Sequence, residues 1–151
     1  MDHGIKAAEL FLSGSNCAQA VAVAFCYVTG LTPEFSAKMA SSFGGGMGRL
    51  REVCGAVSGM LMVAGLLYGY EDPGEDDVNK KALYQLVQEL AGKFRAQAGS
   101  IVCREILKNP PSDPNPTPRT EEFYKKRPCA RMVILAAKIL DDYIAQHPIN
   151  G

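Results

Sequence analysis

The chain has 151 residues, the length of one ordinary domain, and 47% of them are hydrophobic, enough for a real core. Sixteen basic and sixteen acidic residues cancel, so charge gives no reason to expect nucleic acid or an anionic membrane as partner. The basic cluster Lys125-Lys126-Arg127 reads as a solvated helix end.

Apolar residues recur at helical spacing almost everywhere, and no strand is expected. A first short helix covers about residues 4–12 and stops at Ser13-Gly14. A second begins after the cap types Ser15-Asn16, carries Cys17, Val21, Ala24/Phe25 and Val28, and ends at Gly30. A third opens at Thr32-Pro33 and is expected to turn Phe35, Met39 and Phe43 inward. The turn Gly44-Gly45-Gly46-Met47-Gly48 follows.

Residues 53–69 carry no charge, but seventeen residues fall short of the roughly 20 that a membrane span needs. They are expected to form a buried central helix, about 50–69, with no membrane insertion. The pairs Gly55/Gly59 and Gly65/Gly69 are four apart, a spacing that lets neighbouring helices approach closely. Glu71-Asp72-Pro73-Gly74 breaks that helix. A fifth runs over about 75–97 with Leu83, Leu86/Val87, Leu90 and Phe94 on one face, and a short sixth over 101–108. The segment 109–118 holds five prolines and reads as an extended surface connector. A short helix is expected at 120–126, and a last one from Pro128 to about Gln146 with Met132, Val133, Ala136, Ile139, Leu140 and Tyr143 facing in. The expected fold is therefore all-α: a single domain over 1–151, a bundle of about six to eight helices around the central apolar one.

The start of the chain lacks the organisation of a secretory signal, so the cytoplasm is the expected compartment. Cytosolic thiols are kept reduced, and five cysteines cannot all pair, which argues against a disulfide framework. Four of the five share one setting. Cys17 follows cap residues, Cys54 follows the glycine loop, Cys103 lies three past Ser100, and Cys129 follows Pro128, so each falls near the start of a helix. Unpaired N–H groups and the positive end of the helix dipole favour a thiolate there. Arg51, Arg104, Arg127 and Arg131 stand near Cys54, Cys103 and Cys129 and act in the same direction. Cys26, between Phe25 and Tyr27, is expected to be buried and structural.

Magnitudes limit this. An unperturbed thiol titrates near about 8.5, leaving about 3% thiolate at pH 7. One helix end contributes roughly 0.3–1 kcal/mol, under one pKa unit. Converging helix ends and arginines could do more, whereas two neighbouring thiolates repel. A cluster of thiols resolves that conflict by oxidising to a disulfide or by binding a metal. No Cys-x-x-Cys or Cys/His knuckle is present, and His3 and His147, near the termini, are expected to be solvated. The glycine loop is not expected to hold phosphate, because no strand precedes it and no Gly-Lys-Ser/Thr follows.

The motif Cys54-Gly55-Ala56-Val57-Ser58-Gly59 resembles the Cys-Gly-Ala-x-x-Gly core of the C_GCAxxG_C_C family. Asn16-Cys17-Ala18-Gln19-Ala20 and Phe43-Gly44-Gly45-Gly46-Met47-Gly48 look similar too, and Cys103-Arg104 and Cys129 supply the last two cysteines. The resemblance implies a bacterial or archaeal redox-active protein, often encoded near transporter genes. Three functions stay open. The first is reversible thiol–disulfide chemistry at Cys17, Cys54, Cys103 and Cys129, with Cys54 expected to be the most reactive. The second is a metal or iron–sulfur site on the same four ligands. The third is a non-catalytic helical partner, serving a transporter or a redox protein.

Overall fold

Helix starts follow the side chains able to cap them. The structure, a computed structural model, describes residues 2–149. Asp2 accepts from the Gly4 and Ile5 N–H groups at the start of α1 (His3–Leu12). Asn16 and Gln19 form a reciprocal capping box at the start of α2 (Cys17–Ala24), with 2.9 Å from Gln19 N–H to Asn16 Oδ1 and 3.1 Å in return. One further turn, Cys26–Thr29, prolongs α2 and ends at Gly30. Thr32 caps α3 (Pro33–Ala40), and Thr120 caps α7 (Glu121–Lys126). The remaining helices are α4 (Gly55–Tyr68), α5 (Val78–Ala98), α6 (Cys103–Leu107) and α8 (Cys129–Gln146).

The all-α reading holds: no strand occurs among the described residues, and one isolated antiparallel bridge joins Val53 to Val102. That bridge explains why the central helix starts at Gly55 rather than near residue 50. Cys54 N–H donates to Ile101 C=O at 2.7 Å and Cys103 N–H to Glu52 C=O at 2.6 Å, which holds 52–54 extended.

Helix α4 is apolar on all sides and sits in the core with Val57, Met60, Val63 and Ala64 buried. Around it, α2 contributes Val21, α1 Phe11, α5 Leu90 and Phe94, and α8 Val133, Ala136 and Leu140. No helix among the described residues is long and apolar enough to cross a membrane.

The pair Gly55/Gly59 provides the close approach its spacing suggests. A Cβ on Gly59 would lie 2.8 Å from the Ala18 carbonyl oxygen of α2. Gly65/Gly69 does not: nothing among the described residues lies within 4 Å of a Cβ on Gly65, and Gly69 is the C-cap of α4 itself. Two further expectations are corrected. Phe35 is exposed, and α3 buries Ser36 and Ala40 instead. His3 is not solvated: its Nδ1 lies 2.6 Å from Asp141 Oδ1, and its ring stacks on Phe25 with centroids 4.2 Å apart. The partner is 138 residues away, out of reach of any local signal. His147 is exposed and stacks on Tyr143.

The two α4 glycines give opposite expectations. Gly59→Ala forces α2 and α4 apart, costing about 1–3 kcal/mol, or a melting point lower by roughly 2–10 °C. Gly65→Ala fills open space and restricts the unfolded chain, raising stability by about 0.4–1 kcal/mol. Thermal denaturation of the two variants checks this, and equal responses contradict the close packing.

Candidate functional site

The four helix starts converge on one cavity of about 300 Å³, whose wall includes Cys17, Cys54, Cys103 and Cys129. Cys26 is buried elsewhere and is not part of that wall. All five thiols are free. Cys17 opens α2, Cys103 opens α6, Cys129 opens α8, and Cys54 is the N-cap of α4.

Two glycines make the convergence possible. A Cβ on Gly55 would stand 3.0 Å from the Cys17 Cβ and 3.0 Å from the Ala18 nitrogen, so the residue after Cys54 must be small for α2 to reach α4. Gly46 has φ 70°, and a Cβ there would stand 2.7 Å from the Cys103 Cβ. The backbone around it is left-handed from Gly45 through Arg49, with Met47 at φ 70°, Arg49 at 69° and, beyond Leu50, Arg51 at 62°. Non-glycine residues in this region cost about 1–3 kcal/mol each, so the surroundings hold the loop in place. Glu52 N–H donates to Gly46 C=O at 2.9 Å and Arg51 N–H to Gly45 C=O at 3.2 Å.

Across the Val53–Val102 bridge, Cys54 and Cys103 occupy diagonal positions, which in an antiparallel ladder are about 7–8 Å apart. Cys17 and Cys129 begin two helices that pack on each other, and both line the cavity wall. Burial pushes Cys54 up to about 12, even though the Ala56 and Val57 N–H groups favour its thiolate. Burial also raises Cys103, partly offset by Arg51, whose Nη1 is 3.7 Å from its sulfur. Cys17 is raised well above the ordinary thiol value, first by donating to Cys129 and then by burial. Cys129 alone is lowered, to about 7, by the Cys17 hydrogen bond and, against burial, by the charges of Arg127, Arg119 and Arg51.

Cys129 is thus the cavity thiol that is lowered, whereas Cys54, expected from its sequence setting to be the most reactive, is raised. The helix end at Cys54 is present, but desolvation outweighs it. Arg51 serves Cys103 rather than the nearer-in-sequence Cys54, Arg104 pairs with Glu52, and Arg131 is exposed.

Arg49 and Arg119 are site residues that sequence spacing alone did not mark. Arg119 lies over the Phe11 ring, 4.4 Å from its centroid, and donates to the Phe11 and Ser15 carbonyls. Arg49 and Arg51 hold the proline-rich segment: Arg51 Nε donates to Pro111 C=O at 2.9 Å, Arg49 Nε to Asp113 C=O at 2.7 Å, and Arg49 Nη1 to Thr117 Oγ1 at 2.8 Å. Pro114, Pro116 and Thr117 line the cavity, so residues 109–118 form its strap and are more than a connector. For a metal, the arrangement is poor: among the described residues no three Cys, His, Asp or Glu side chains are grouped as ligands of one ion.

No curated protein and no solved structure matches this chain. One family does: the profile described as "Putative redox-active protein (C_GCAxxG_C_C)" matches residues 15–143, from the cap of α2 to the last turns of α8, taking in all four cavity cysteines. The chain belongs to the C_GCAxxG_C_C family.

Proposed function

We propose that the protein carries out reversible thiol–disulfide exchange with Cys129 as nucleophile and Cys17 as resolving thiol. The observation that carries this reading is that Cys17 and Cys129 begin two helices packed on each other and line one cavity together with Arg51, Arg119 and Arg127. A thiolate near pH 7 combines availability with nucleophilicity, which falls as thiol pKa falls. Cys129 attacks one sulfur of a disulfide, displacing the other half as a thiolate and leaving a mixed disulfide. Cys17, its proton passing to the departing thiolate, then attacks the Cys129 sulfur. This expels the second half and leaves a Cys17–Cys129 disulfide. Two electrons and one proton have then passed from the protein to the substrate, and the second half leaves as a thiolate that takes its proton from water. A dithiol from outside must restore the starting state.

Cys54 and Cys103 have a supporting part in this scheme. Kept as neutral thiols by burial, they add no negative charge that would oppose the Cys129 thiolate.

Two measurements test the assignment. The rate of Cys129 alkylation by iodoacetamide should rise with pH to a plateau with a midpoint near about 7, and Cys17→Ala, by removing the donor, should move that midpoint upward. Ordinary midpoints near about 8.5 at every cysteine would sink the proposal. Treatment with 2-hydroxyethyl disulfide should then produce a Cys17–Cys129 link, located by mass spectrometry, with Cys54 and Cys103 still free. Cys17→Ser should stop the reaction at the mixed disulfide on Cys129. A Cys54–Cys103 link, or no reaction, contradicts the pairing.

A further inference from the structure

The charge around the cavity is one-sided. The chain as a whole is neutral, yet Arg49, Arg51, Arg119 and Arg127 line this cavity and no aspartate or glutamate does. Asp113 reaches Arg49 only from the exposed strap, at 3.8 Å. Arg51 is the most unusual of the four. It is 4% exposed, its Nε and Nη1 are engaged by Pro111 and Cys103, and its Nη2 is buried with no hydrogen-bond partner among the described residues. A buried donor left unpaired costs about 1–3 kcal/mol, and more when it is charged. Proteins rarely carry that cost without a ligand or a function to account for it. The backbone is left-handed at this arginine and at Arg49, so the loop spends further strain to hold both guanidinium groups here.

From this wall we infer that the cavity binds a small anionic ligand, a carboxylate or tetrahedral oxyanion, through the guanidinium of Arg51. The planar fork of arginine suits such groups, which accept two N–H bonds at once. The anion competes for donors that now hold the strap, so residues 109–118 yield as it enters. Their grip is through arginine side chains rather than a buried apolar face, since the segment is almost wholly exposed. Resting on the thiol-exchange reading, the inference names its substrate class: sulfur compounds bearing an anionic group close to the reacting atom.

Two alkylating reagents of nearly equal size separate the effects. Iodoacetate carries a carboxylate beside its reactive carbon, and iodoacetamide is neutral there. Rates at Cys129 of the reduced full chain, read by peptide mapping and expressed as the iodoacetate-to-iodoacetamide ratio, cancel the thiolate fraction. Normalised to N-acetylcysteine, the ratio should be at least about tenfold, the size of one charge-assisted hydrogen bond. Sodium sulfate should reduce it when compared with sodium chloride at equal ionic strength. Arg51→Met should abolish it, and Arg51→Lys, which keeps the charge and loses the fork, should lose most of it.

A normalised ratio near one, or no sulfate effect, overturns the inference. Full retention in Arg51→Lys also overturns it, since diffuse positive potential would then suffice. If the Arg51 variants do not fold, the wild-type ratio and the sulfate competition still decide. A ratio near one with a Cys129 midpoint near 7 removes the anion site and leaves thiol exchange standing. A high, sulfate-sensitive ratio with an ordinary midpoint does the reverse.

Discussion

The rest of the site depends on how closely α2 lies against α4. At Gly55 and Gly59 there is no room for a methyl group: its neighbours would be the Cys17 Cβ and the backbone of Ala18. Only with the two helices that close can the first residue of α2 meet the cavity opened by the N-cap of α4. Helix α8 packs against both, which brings Cys129 to Cys17. The Val53–Val102 bridge then fixes α6 to the approach of α4 and brings in Cys103. The thiol cluster is thus a product of backbone proximity, and the Cys-Gly-Ala-x-x-Gly motif reads physically as one thiol followed by two points of helix contact.

Once the thiols are gathered, competing effects of unequal size set them apart. A helix N-terminus favours thiolate by roughly 0.3–1 kcal/mol, and all four cysteines lie at one. Burial opposes it and differs between them. At Cys54 it wins by a wide margin, raising the thiol to about 12 despite two N–H groups aimed at it. At Cys129 the donor from Cys17 and three arginines reverse the outcome. Local sequence environment does not set these differences alone: at Cys129 the largest contribution comes from Cys17, followed, against burial, by the nearby Arg127 and by the more distant Arg119 and Arg51.

The fold was legible wherever the signal was local. Cap residues, glycine stops and the 3.6-residue stripe marked the helices, with most boundaries within a few residues. The exceptions have one cause. Residues 50–54, Phe35, His3 and Gly65 each take their conformation or burial from a distant partner, or from its absence, and neighbouring residues do not encode it. The same holds in the site. That four cysteines begin helices could be read from Asn16, Pro128 and the glycine loop. That Arg49 and Arg119 belong with them could not. The one available signal for Arg49 was its place among glycines, where the chain can adopt conformations other residues avoid.

The left-handed run from Gly45 to Arg49, and Arg51 beyond it, joins these points into one argument. Met47, Arg49 and Arg51 would each be more stable with negative φ, and a simpler connection between α3 and α4 would avoid the strain. Tight packing of Gly46 against Cys103 cannot be the whole reason for it, because Arg51 ends with a buried Nη2 that nothing among the described residues satisfies. Nor can stability of the strap alone, since backbone carbonyls of an exposed segment are well solvated without arginine. What the strained loop does achieve is placement: two guanidinium groups at the cavity wall, one against Cys103 and both beneath the strap. A loop that accepts strain and an unpaired charge to aim positive groups at a cluster of thiols makes physical sense if negative charge develops or arrives there. Thiolates supply part of that charge, and an anionic ligand would supply the part that the free protein leaves unmatched.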